Sequence, residues 1–539
     1  MTKWIISGRT AQELLGMGAL IAAKAVSPTL GPVGRTVLMD RRRVGPSLVS
    51  DGFTINRELE LADPFMDMAV RILEDASEQV REECGDGTTS TVILSEAILR
   101  MAQPSVAMGA DPMAMARGIR CGEAVAAAAL QRAAMPVASP DELVAVAALA
   151  CKDQELGRAI ADLVDQTGID GAVVAQESNS REIVSKLVEG FEFDSGVLSP
   201  QFLTDRSRME AVLEEPYLLL TGQKLQFVED ILPALERILP TAHRLVIVAQ
   251  DVEGEALTGL AMNAERGNLE VIAVKGPGIG GRQEERLEDL AAATSATVLP
   301  DDQTGRTLAG ITLEDLGRAE RVVADRFRTT IFGAQGDDER MQRRIAIIQD
   351  QLDESQTDQY GRQLLERIGA IQGLTGYLNV GGLTEAEMKE KLPRVRNAVV
   401  AAQAAHRSGI QPGGGAAYVR AALELDPTEL DGDERLGMQI LQTALSFPLR
   451  QLAHNAGEEG AVILSRLTDS PVDHAYDATN LRIGPAAEMG ILDPASTVEA
   501  VLHRACSIAS VMLSVDTVIV DPPGPFMEYE RPDMSAKFD

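Results

Sequence analysis

The sequence predicts a multidomain α+β protein in which a segment of alternating strands and helices interrupts a mostly helical chain. Its 539 residues exceed what one ordinary core organises, which indicates three or four domains. Helical periodicity marks the N-terminal region, as at Leu94, Ala97, Ile98 and Met101. From about residue 217, short apolar runs alternate with helical stretches, and helical texture returns after Gly413-Gly414-Gly415.

The composition is that of a globular protein without a basic surface. Lys and Arg number 50 against 81 Asp and Glu, so the formal charge is −31 and the chain lacks the basic footprint of a nucleic-acid binder. The four cysteines and five histidines show no metal-binding spacing. The N-terminus lacks a signal peptide's apolar run, and no stretch reaches the ~18 apolar residues of a membrane helix. We expect a soluble, cytoplasmic protein with no nucleic-acid or membrane partner.

Local patterns predict further elements along the chain. The Ala-rich residues 124–130 predict a helix, and a charged helical pair is expected between residues 337 and 372. Pro28-Thr29-Leu30-Gly31-Pro32 and Ser50-Asp51-Gly52 lie next to strand-like sequence, and each predicts a hairpin turn when taken alone. The predicted strands of the central segment are 217–220, 245–249, 271–274 and 297–299.

The most informative segment is Gly85-Asp86-Gly87-Thr88-Thr89-Ser90-Thr91, which opens the helix that runs to Met101. Glycines allow a tight turn and close approach of a ligand, while the first turn of a helix offers unpaired N–H groups to an anion. The adjacent hydroxyls add donors, and Asp86 is a hard oxygen ligand of the kind that Mg²⁺ takes. The string alone fits a nucleotide site and an Asp-capped helix about equally, and it lacks the lysine of a Walker A motif.

A second glycine-rich string, Gly276-Pro277-Gly278-Ile279-Gly280-Gly281, matches the dinucleotide-binding pattern and follows a predicted strand. Asp301 lies about 20 residues further on, where a ribose-binding acid is expected. Pro277, however, removes a backbone donor where a pyrophosphate needs one, and the sequence shows no second βαβ half. The dinucleotide interpretation is therefore the weaker one.

Several motifs stand in the order that one known family shows. The chain resembles the large subunit of group I (GroEL-type) chaperonins, as a divergent paralogue, from about residue 5 to residue 522. The motifs are Thr29-Leu30-Gly31-Pro32, Asp51-Gly52, 85–90, 251–257, Gly413-Gly414-Gly415 and 489–494. The resemblance implies a chaperonin fold with a helical equatorial domain, a small intermediate domain and an α/β apical domain.

The same resemblance implies where these domains begin and end. Two chain halves would form the equatorial domain around ATP, with hinges at Pro136 and Gly409 and at Gly190 and Gly373. The implied segments are 1–132 and 408–525 for the equatorial domain, 133–188 and 374–407 for the intermediate domain, 189–373 for the apical client-binding domain, and 526–539 for a flexible tail.

The resemblance also implies a site for ATP and Mg²⁺, with K⁺ as a further candidate ion. Asp86 would hold the Mg²⁺, and Asp51 would lie beside the γ-phosphate and orient the attacking water. The residues expected around the nucleotide are Thr29, Leu30, Gly31, Pro32, Ser50, Asp86, Gly87, Thr88, Thr89, Ser90, Gly414, Asp477, Ala478, Thr479 and Asp493.

Three positions depart from the family pattern at this site. Asn397 stands where the family has an intermediate-domain Asp that completes the hydrolytic site, and an amide cannot accept a proton from water. Ser50 replaces a family Lys, which removes a cation near the phosphates, and Asp477 replaces a family Asn. With Asp51 and Asn397 as the candidate catalytic residues, we expect ATP to bind but to turn over slowly or not at all. Neutral drift with compensation is the alternative.

The expected client surface is less apolar than the family pattern. Val197 and Gln201 stand at usually aromatic positions, and Ala261 replaces a usual Val. One stripe is predicted on a helix with Asp230 as N-cap and Pro233 early in the helix; without the resemblance, such a stripe would be interpreted as a core face. The candidate client-binding residues are Val197, Gln201, Phe202, Leu232, Leu235, Leu257, Ala261 and Met262. A less apolar rim indicates a narrower client range.

The C-terminal tail differs from the family pattern, and the resemblance implies an assembly. The family's Gly-Gly-Met repeats are absent, and Phe526, Tyr529 and Phe538 stand in a Pro-rich terminus that either contacts a client or is disordered. The resemblance implies a homo-oligomer of seven-membered rings. Arg450 and Glu459 stand at ring-contact positions, which leaves single and double rings both open.

The leading hypothesis is a divergent chaperonin that folds or assembles one or a few clients, with a small co-chaperonin lid as a candidate partner. A multicomponent oxygenase is the client that the resemblance suggests. The alternative is a nucleotide-binding ring scaffold or holdase without an ATP-driven cycle, which Asn397 and Ser50 favour. A general housekeeping chaperonin is disfavoured by Val197, Gln201 and the tail.

Overall fold

The computed structural model describes residues 3–41, 45–168, 171–178, 183–205, 209–241, 243–278, 281–301, 305–353, 358–381 and 385–521. The chain divides into two compact units, Met1–Asp162 with Glu385–Asp539 and, between them in sequence, Leu163–Thr384. The six-segment domain division given above stays a prediction. The 526–539 tail, with its three aromatic residues, lies outside the described residues.

Long helices occupy both ends of the described chain, and most strands lie in the middle. The helices are α1 (Arg9–Val26), α2 (Gly52–Glu58), α3 (Pro64–Cys84), α4 (Thr88–Ala107), α5 (Pro112–Ala133), α6 (Pro140–Cys151), α7 (Gln154–Thr167), α8 (Val228–Ile238), α9 (Gly254–Glu265), α10 (Gly281–Thr294), α11 (Asp338–Asp353), α12 (Asp358–Gln372), α13 (Glu385–Ser408), α14 (Ala416–Leu423), α15 (Gly432–Ala444), α16 (Phe447–Asn455), α17 (Gly460–Thr468), α18 (Ala486–Met489) and α19 (Ala495–Ser514). Short 3₁₀ turns lie at Ser27–Thr29, Pro200–Phe202, Leu308–Gly310, Leu313–Asp315 and Pro427–Glu429.

The strands form small ladders in the first unit and larger sheets in the second. They are β1 (Trp4–Ser7), β2 (Val37–Arg41), β3 (Gly45–Val49), β4 (Ala172–Glu177), β5 (Val184–Glu189), β6 (Phe191–Phe193), β7 (Ala211–Glu214), β8 (Tyr217–Leu225), β9 (Arg244–Val252), β10 (Glu270–Lys275), β11 (Val298–Leu299), β12 (Gly317–Ala324), β13 (Thr329–Ala334), β14 (Leu374–Val380), β15 (Ile410–Pro412), β16 (His474–Asp477), β17 (Arg482–Pro485), β18 (Leu492–Pro494) and β19 (Thr517–Val520). The pairs β1–β19, β2–β3, β15–β18 and β16–β17 belong to the first unit.

Helices of the first unit bury their apolar faces in one core. α1, α3, α4, α5, α15 and α19 pack in pairs, and Leu94, Ala97 and Ile98 of α4 are inaccessible to solvent. These three residues lie at i, i+3 and i+4, so they share one helical face. The predicted helix through Met101 and the predicted helix at 124–130 are confirmed as α4 and α5.

The sheet of the second unit is buried on both faces. Its strands follow the order β10-β9-β8-β12-β13-β6, with β11 beside β8 and β7 beside β12. Leu218 and Leu220 face the core formed with α10, α11 and α12, whereas Leu219 faces the core formed with α8 and α9. This alternation is the two-residue period of a strand whose two sides are both apolar.

The predicted strands and the helical pair of the central segment are confirmed. The four strands correspond to β8–β11, and the helical pair to α11 and α12. The parallel strands β8, β9 and β10, which α8 and α9 connect, form one βαβαβ half, and β12 pairs antiparallel with β8, so the expectation of no second half stays a prediction. In the glycine string after β10, Gly276 N–H donates to Ala249 O at 2.7 Å, and Ile279 and Gly280 lie outside the described residues.

The two turns that local sequence predicts as hairpins have different structures. Residues 28–32 follow α1 through the 3₁₀ turn and lead to β2. Asp51 joins β3 to α2 as a helix N-cap, with its Oδ2 accepting from Thr54 N–H at 3.0 Å and from Thr54 Oγ1 at 2.8 Å. The side chain satisfies a donor of the first helical turn, and this local capping replaces the expected hairpin.

Helix α13 belongs to the first unit and packs closely against other helices of that unit. It packs against α3, α6 and α19, and Ala398, Ala401, Ala402 and Ala405 are buried along it. Short side chains at these positions allow close approach of the neighbouring backbones. This packing brings the middle of α13 to the end of α3, where the segment that contains Asp86 begins.

Candidate functional site

Two short turns carry acidic side chains, and a helix begins after each of them. Asp51 caps α2, and Asp86 lies between Gly85 and Gly87 ahead of α4. The Oδ1 of Asp86 accepts from Gly87 N–H at 2.7 Å, and Gly87 occupies the N-cap position of α4 with φ +96°. The cap of α4 is therefore a glycine, not Asp86, and its first N–H groups point to where the sequence predicts phosphates.

Glycine allows these turns to touch. A Cβ at Gly52 would lie 2.1 Å from Thr89 Oγ1 and 3.2 Å from Thr29 Oγ1, so α2, α4 and the 28–32 turn meet at this point. Asn455 Nδ2 fixes the 28–32 turn by donating to the carbonyl oxygens of Ser27 and Leu30, at 2.8 and 3.1 Å. Predicted phosphate-binding residues from three chain segments thus converge.

A third carboxylate, Asp493, joins the cluster from the C-terminal part of the chain. Its Oδ2 accepts from Gly414 N–H at 3.2 Å, and a Cβ at Gly413 would lie 2.9 Å from its Oδ1. Burial and the neighbouring Asp86 raise the pKa of Asp493 to about 7. Burial likewise raises the pKa of Asp86, to which Asp51 contributes. The three acids are electrostatically coupled, so a bound cation favours their ionised forms.

The carboxylates of the cluster are hard oxygen donors of the kind that Mg²⁺ takes. Asp86 remains accessible to solvent at the open side of the cluster, and Mg²⁺ commonly takes one or two carboxylates together with phosphate oxygens and water. Within the described ranges, no three His, Cys, Asp or Glu side chains are placed to hold a metal ion by themselves. A Mg²⁺ at Asp86 would therefore take its other ligands from phosphate and water.

Asp477 lies at the end of β16, and its charge is compensated within its own hairpin. Its Oδ1 accepts from Thr479 N–H at 2.9 Å and Asn480 N–H at 3.1 Å, and Arg482 lies 3.7 Å from its Oδ2. Burial opposes the charge, but these hydrogen bonds and the guanidinium hold the pKa of Asp477 below its usual value. The carboxylate shapes the 477–480 turn, in which Ala478 is buried and Thr479 exposed.

One face of α13 contacts the residues that precede both acids of the helix-opening turns. Arg394 Nη2 donates to Ser50 Oγ at 2.8 Å. A Cβ at Gly85 would lie 2.2 Å from the carbonyl oxygen of Asn397. Positions 394 and 397 are about one helical turn apart and share a face. We call these two contacts the α13 docking contacts; they place the half-buried Asn397 beside the turn of Asp86.

Sequence reasoning missed two cations of the site, Lys152 and Arg394. Lys152 follows α6, and its ammonium interacts electrostatically with Asp51 and Asp86. No motif surrounds Lys152, so only the packing of α6 against α13 reveals it. Arg394 stands in the string that carries Asn397, but its hydrogen bond to Ser50 joins residues 344 positions apart.

In the second unit, the predicted client-binding residues divide between the surface and the core. Most of them lie on α8, α9 and the neighbouring 3₁₀ turn, which Val197 precedes. The exposed members are Gln201, Leu232 and Met262, the half-buried members that pack against the core are Val197 and Leu257, and the buried members are Phe202, Leu235 and Ala261. The buried side chains pack in the core between these helices and the sheet, and the exposed ones lie on the outer surface.

The start of α8 differs from the sequence prediction. Phe227 is the N-cap, and Asp230 lies in the first turn, where its Oδ2 accepts from Phe227 N–H at 2.9 Å. The prediction of Asp230 as N-cap is wrong by three residues because its side chain reaches backwards, as in a capping box, and Pro233 lies in the second turn. Phe227 and Val228 are exposed beside Leu232, and sequence periodicity missed both because they precede the stripe.

A helical unit from both ends of the chain, an inserted α/β unit and carboxylates gathered at one site are the arrangement of a chaperonin. Residues 22–523 match the model of the TCP-1/cpn60 chaperonin family, and the chain belongs to this family. The predicted family and the multidomain α+β chaperonin fold are confirmed. Such proteins assist protein folding, generally depend on ATP and Mg²⁺, and generally form rings that bind clients. Among the described helices, none is long and apolar enough to cross a membrane.

The docking contact at Gly85 generates a stability prediction. Gly85→Ala places a methyl group against the Asn397 carbonyl and forces an L-residue to φ +71°, so we expect a drop in melting temperature and faster hydrogen exchange in α13. Gly457→Ala is the matched control, because Gly457 has φ +84° and nothing within 4 Å of an added Cβ. The control carries only the backbone cost, roughly 1 kcal/mol. Equal melting shifts in the two variants would contradict the docking contact.

Proposed function

We propose that this chain is an ATP-binding chaperonin that assists folding or assembly of one or a few clients in a ring cavity and hydrolyses ATP slowly. The observation that supports the proposal is the pair of α13 docking contacts, because they hold Asn397, where the resemblance implies a family aspartate, beside the turn of Asp86. A multicomponent oxygenase as client and a co-chaperonin lid rest on the resemblance alone.

The chain offers suitable groups to each part of Mg²⁺-ATP. The N–H groups and hydroxyls at the start of α4 suit phosphate oxygens, and Asp86 would hold Mg²⁺, with K⁺ as a further candidate ion. Neighbouring side chains lie so close to Gly52 and Gly413 that neither position has room for a Cβ. Glycine is the usual residue where the backbone of a site is approached this closely. The residues assigned to the nucleotide are Thr29–Pro32, Ser50, Gly87–Ser90, Gly414, Asp477–Thr479 and Asp493.

Slow turnover follows from what Asn397 lacks. Phosphoryl transfer to water needs a group that orients the water and, as charge develops, accepts its proton. Asp51 has Oδ2 engaged in capping α2, and the amide of Asn397 orients water through its oxygen but takes no proton. Because a positioned acid–base group contributes about 10²–10⁴-fold, its absence slows hydrolysis without preventing binding.

Glycines with positive φ at the predicted hinges support a chaperonin cycle. At the predicted upper hinge, Gly190 N–H donates to Gly373 O at 2.7 Å, and both residues have positive φ. At the predicted lower hinge, Ile410 and Met135 exchange two backbone hydrogen bonds at 2.7 and 3.0 Å, next to Gly409 with φ +82°. At each predicted hinge, two chain segments are hydrogen-bonded next to glycines that have positive φ. This arrangement supports a protein whose domains move.

Exposed apolar pairs on two small sheets support a homo-oligomer. Leu38 and Leu48 are cross-strand partners on β2–β3, and they are 68% and 73% exposed. Ile5 and Ile519 are partners on β1–β19, and they are 62% and 54% exposed. Large apolar side chains paired at open strand edges are protected in proteins by a partner. Rings of seven, single or double, remain the assembly that the resemblance implies.

A nucleotide-binding ring scaffold or holdase without an ATP-driven cycle is the second candidate. Asn397 and Ser50 favour it, because each removes a group that hydrolysis uses. The three coupled carboxylates and the positive-φ hinge glycines favour the working chaperonin. The two candidates differ in one property, the ability of the assembled site to hydrolyse ATP once a proton acceptor is restored.

Restoring the carboxylate is the direct test of this proposal. We expect the purified oligomer with Mg²⁺ and K⁺ to show little steady-state ATP hydrolysis, and Asn397→Asp to raise kcat by on the order of 100-fold. Asn268→Asp, which adds the same charge to an exposed turn of the second unit, is the matched control and should leave the rate unchanged. A natural protein with chaperonin-like turnover contradicts slow hydrolysis, and silence in Asn397→Asp favours the scaffold.

The exposed surface of α8 and α9 generates a prediction about clients. Leu232→Ser with Met262→Ser removes two accessible apolar side chains, so we expect several-fold weaker suppression of aggregation of a denatured model protein, with the melting temperature nearly unchanged. The control is Ile347→Ser, which removes an exposed side chain of α11, on the opposite side of the sheet. Equal suppression by the double variant and the natural chain would exclude this surface from client binding.

A further inference from the structure

Lys152 holds an unusual backbone conformation at the end of α6. It is the C-cap residue of that helix in the left-handed region, with φ 58° and ψ 30°. Glycine and asparagine dominate left-handed positions at helix ends, because a side chain there carries a steric cost. Glycine would adopt this conformation at a lower steric cost than lysine does. The cost indicates that the side chain of Lys152 has a use.

The surroundings of Lys152 lead directly to the carboxylate cluster. α6 packs along α13, and both Cys151 and Lys152 interact electrostatically with Arg394. Arg394 in turn donates to Ser50, at 2.8 Å. The end of α6, the middle of α13 and the turn before Asp51 are thus neighbours in one unit.

Lys152 lies within electrostatic range of two carboxylates. Asp51 and Asp86 both stabilise its charge, and Lys152 in turn stabilises the ionised form of Asp86. Burial in the surrounding protein, together with the like charge of Arg394, lowers the pKa of Lys152, yet its residue surface stays accessible. Lys152 therefore presents an accessible positive charge beside two negatively charged side chains, where an arriving anion finds its only attraction among these three groups.

We propose that Lys152 binds the terminal phosphate of the nucleotide and replaces the cation that Ser50 lacks. The inference rests on the proposed nucleotide site. Asp51 marks the γ-phosphate side of that site and Asp86 the metal side, so a cation that interacts with both faces the terminal phosphate. A lysine ammonium is a compact point charge on a flexible stem, suited to a phosphate that arrives and leaves.

Arg394 has a different part in this arrangement. Its guanidinium donates to Ser50 and so ties α13 to the turn of Asp51. The positive charge of Arg394 repels that of Lys152, so the two cations lie near each other at low cost only when anions are close to both. A γ-phosphate supplies that anionic charge, so the two cations become mutually compatible when ATP is bound.

The test compares nucleotides with and without the third phosphate. We expect Lys152→Met to weaken binding of the non-hydrolysable ATP analogue AMP-PNP with Mg²⁺ by about tenfold or more, and to change ADP affinity by no more than about threefold. Lys152→Arg should retain most of the analogue affinity. Equilibrium binding to the full-length oligomer by calorimetry measures each value, and no turnover is required.

Two further variants make the outcome decisive. Lys152→Gly removes the cation and suits the left-handed backbone, so it folds even if the methionine variant does not. Arg158→Met removes a cation that lines the same cleft as Lys152, and it should leave both affinities unchanged. A natural protein that binds neither nucleotide overturns the proposed function and this inference together. Nucleotide binding with an unchanged AMP-PNP to ADP ratio in Lys152→Gly overturns this inference alone.

Discussion

The docking of α13 on the two helix-opening turns is the interaction on which the rest of the site depends. Hydrogen bonding from Arg394 to Ser50 and close packing of Asn397 on Gly85 fix the residue before each acid. Neither contact involves an acid itself, so the carboxylates stay available to ligand. A substitution at Gly85 or Ser50 therefore acts on the site through the position of α13.

The charge arrangement explains why the chain gathers acids from distant segments. Burial and the charge of Asp86 raise the pKa of Asp493 to about 7, and desolvation and the charge of Asp51 raise the pKa of Asp86. A bound Mg²⁺ would offset this cost of ionisation, and the charge of Lys152 already favours the ionised form of Asp86. The cluster is thus unfavourable alone and favourable with a cation, which is how a protein makes metal–nucleotide binding contribute to stability.

The sequence predicts those parts of the structure that are carried by local pattern. Helical periodicity of apolar residues predicts α4 and α5 correctly, and the short apolar runs between helical stretches predict β8–β11. The ordered motifs identify the family. Local pattern is ambiguous at Asp51, where a helix cap formed with the residue three positions ahead replaces the expected hairpin. It carries no signal for Lys152, whose interaction with Asp51 and Asp86 depends on long-range packing. Buried and exposed members of one apolar stripe, such as Leu235 and Leu232, differ only through tertiary packing.

Family resemblance supplies the role of an aspartate at position 397, and physical chemistry supplies what its replacement does. An amide preserves shape and loses the ability to accept a proton, so binding and hydrolysis respond differently to the same change. On the proposal made here, the missing cation at position 50 would act on the phosphates, and Lys152 would replace it. The two departures would then not be equivalent, because only the one at position 397 would affect the chemical step.

The fate of a single bound nucleotide tests slow hydrolysis most directly. Radiolabelled ATP is bound to the natural oligomer with Mg²⁺, excess unlabelled ATP is added, and the label is followed as ATP or ADP. We expect most of the label to leave the protein as unchanged ATP, because Asn397 cannot take the proton of the attacking water. Conversion of most of the bound label to ADP before it dissociates would contradict the role assigned to Asn397.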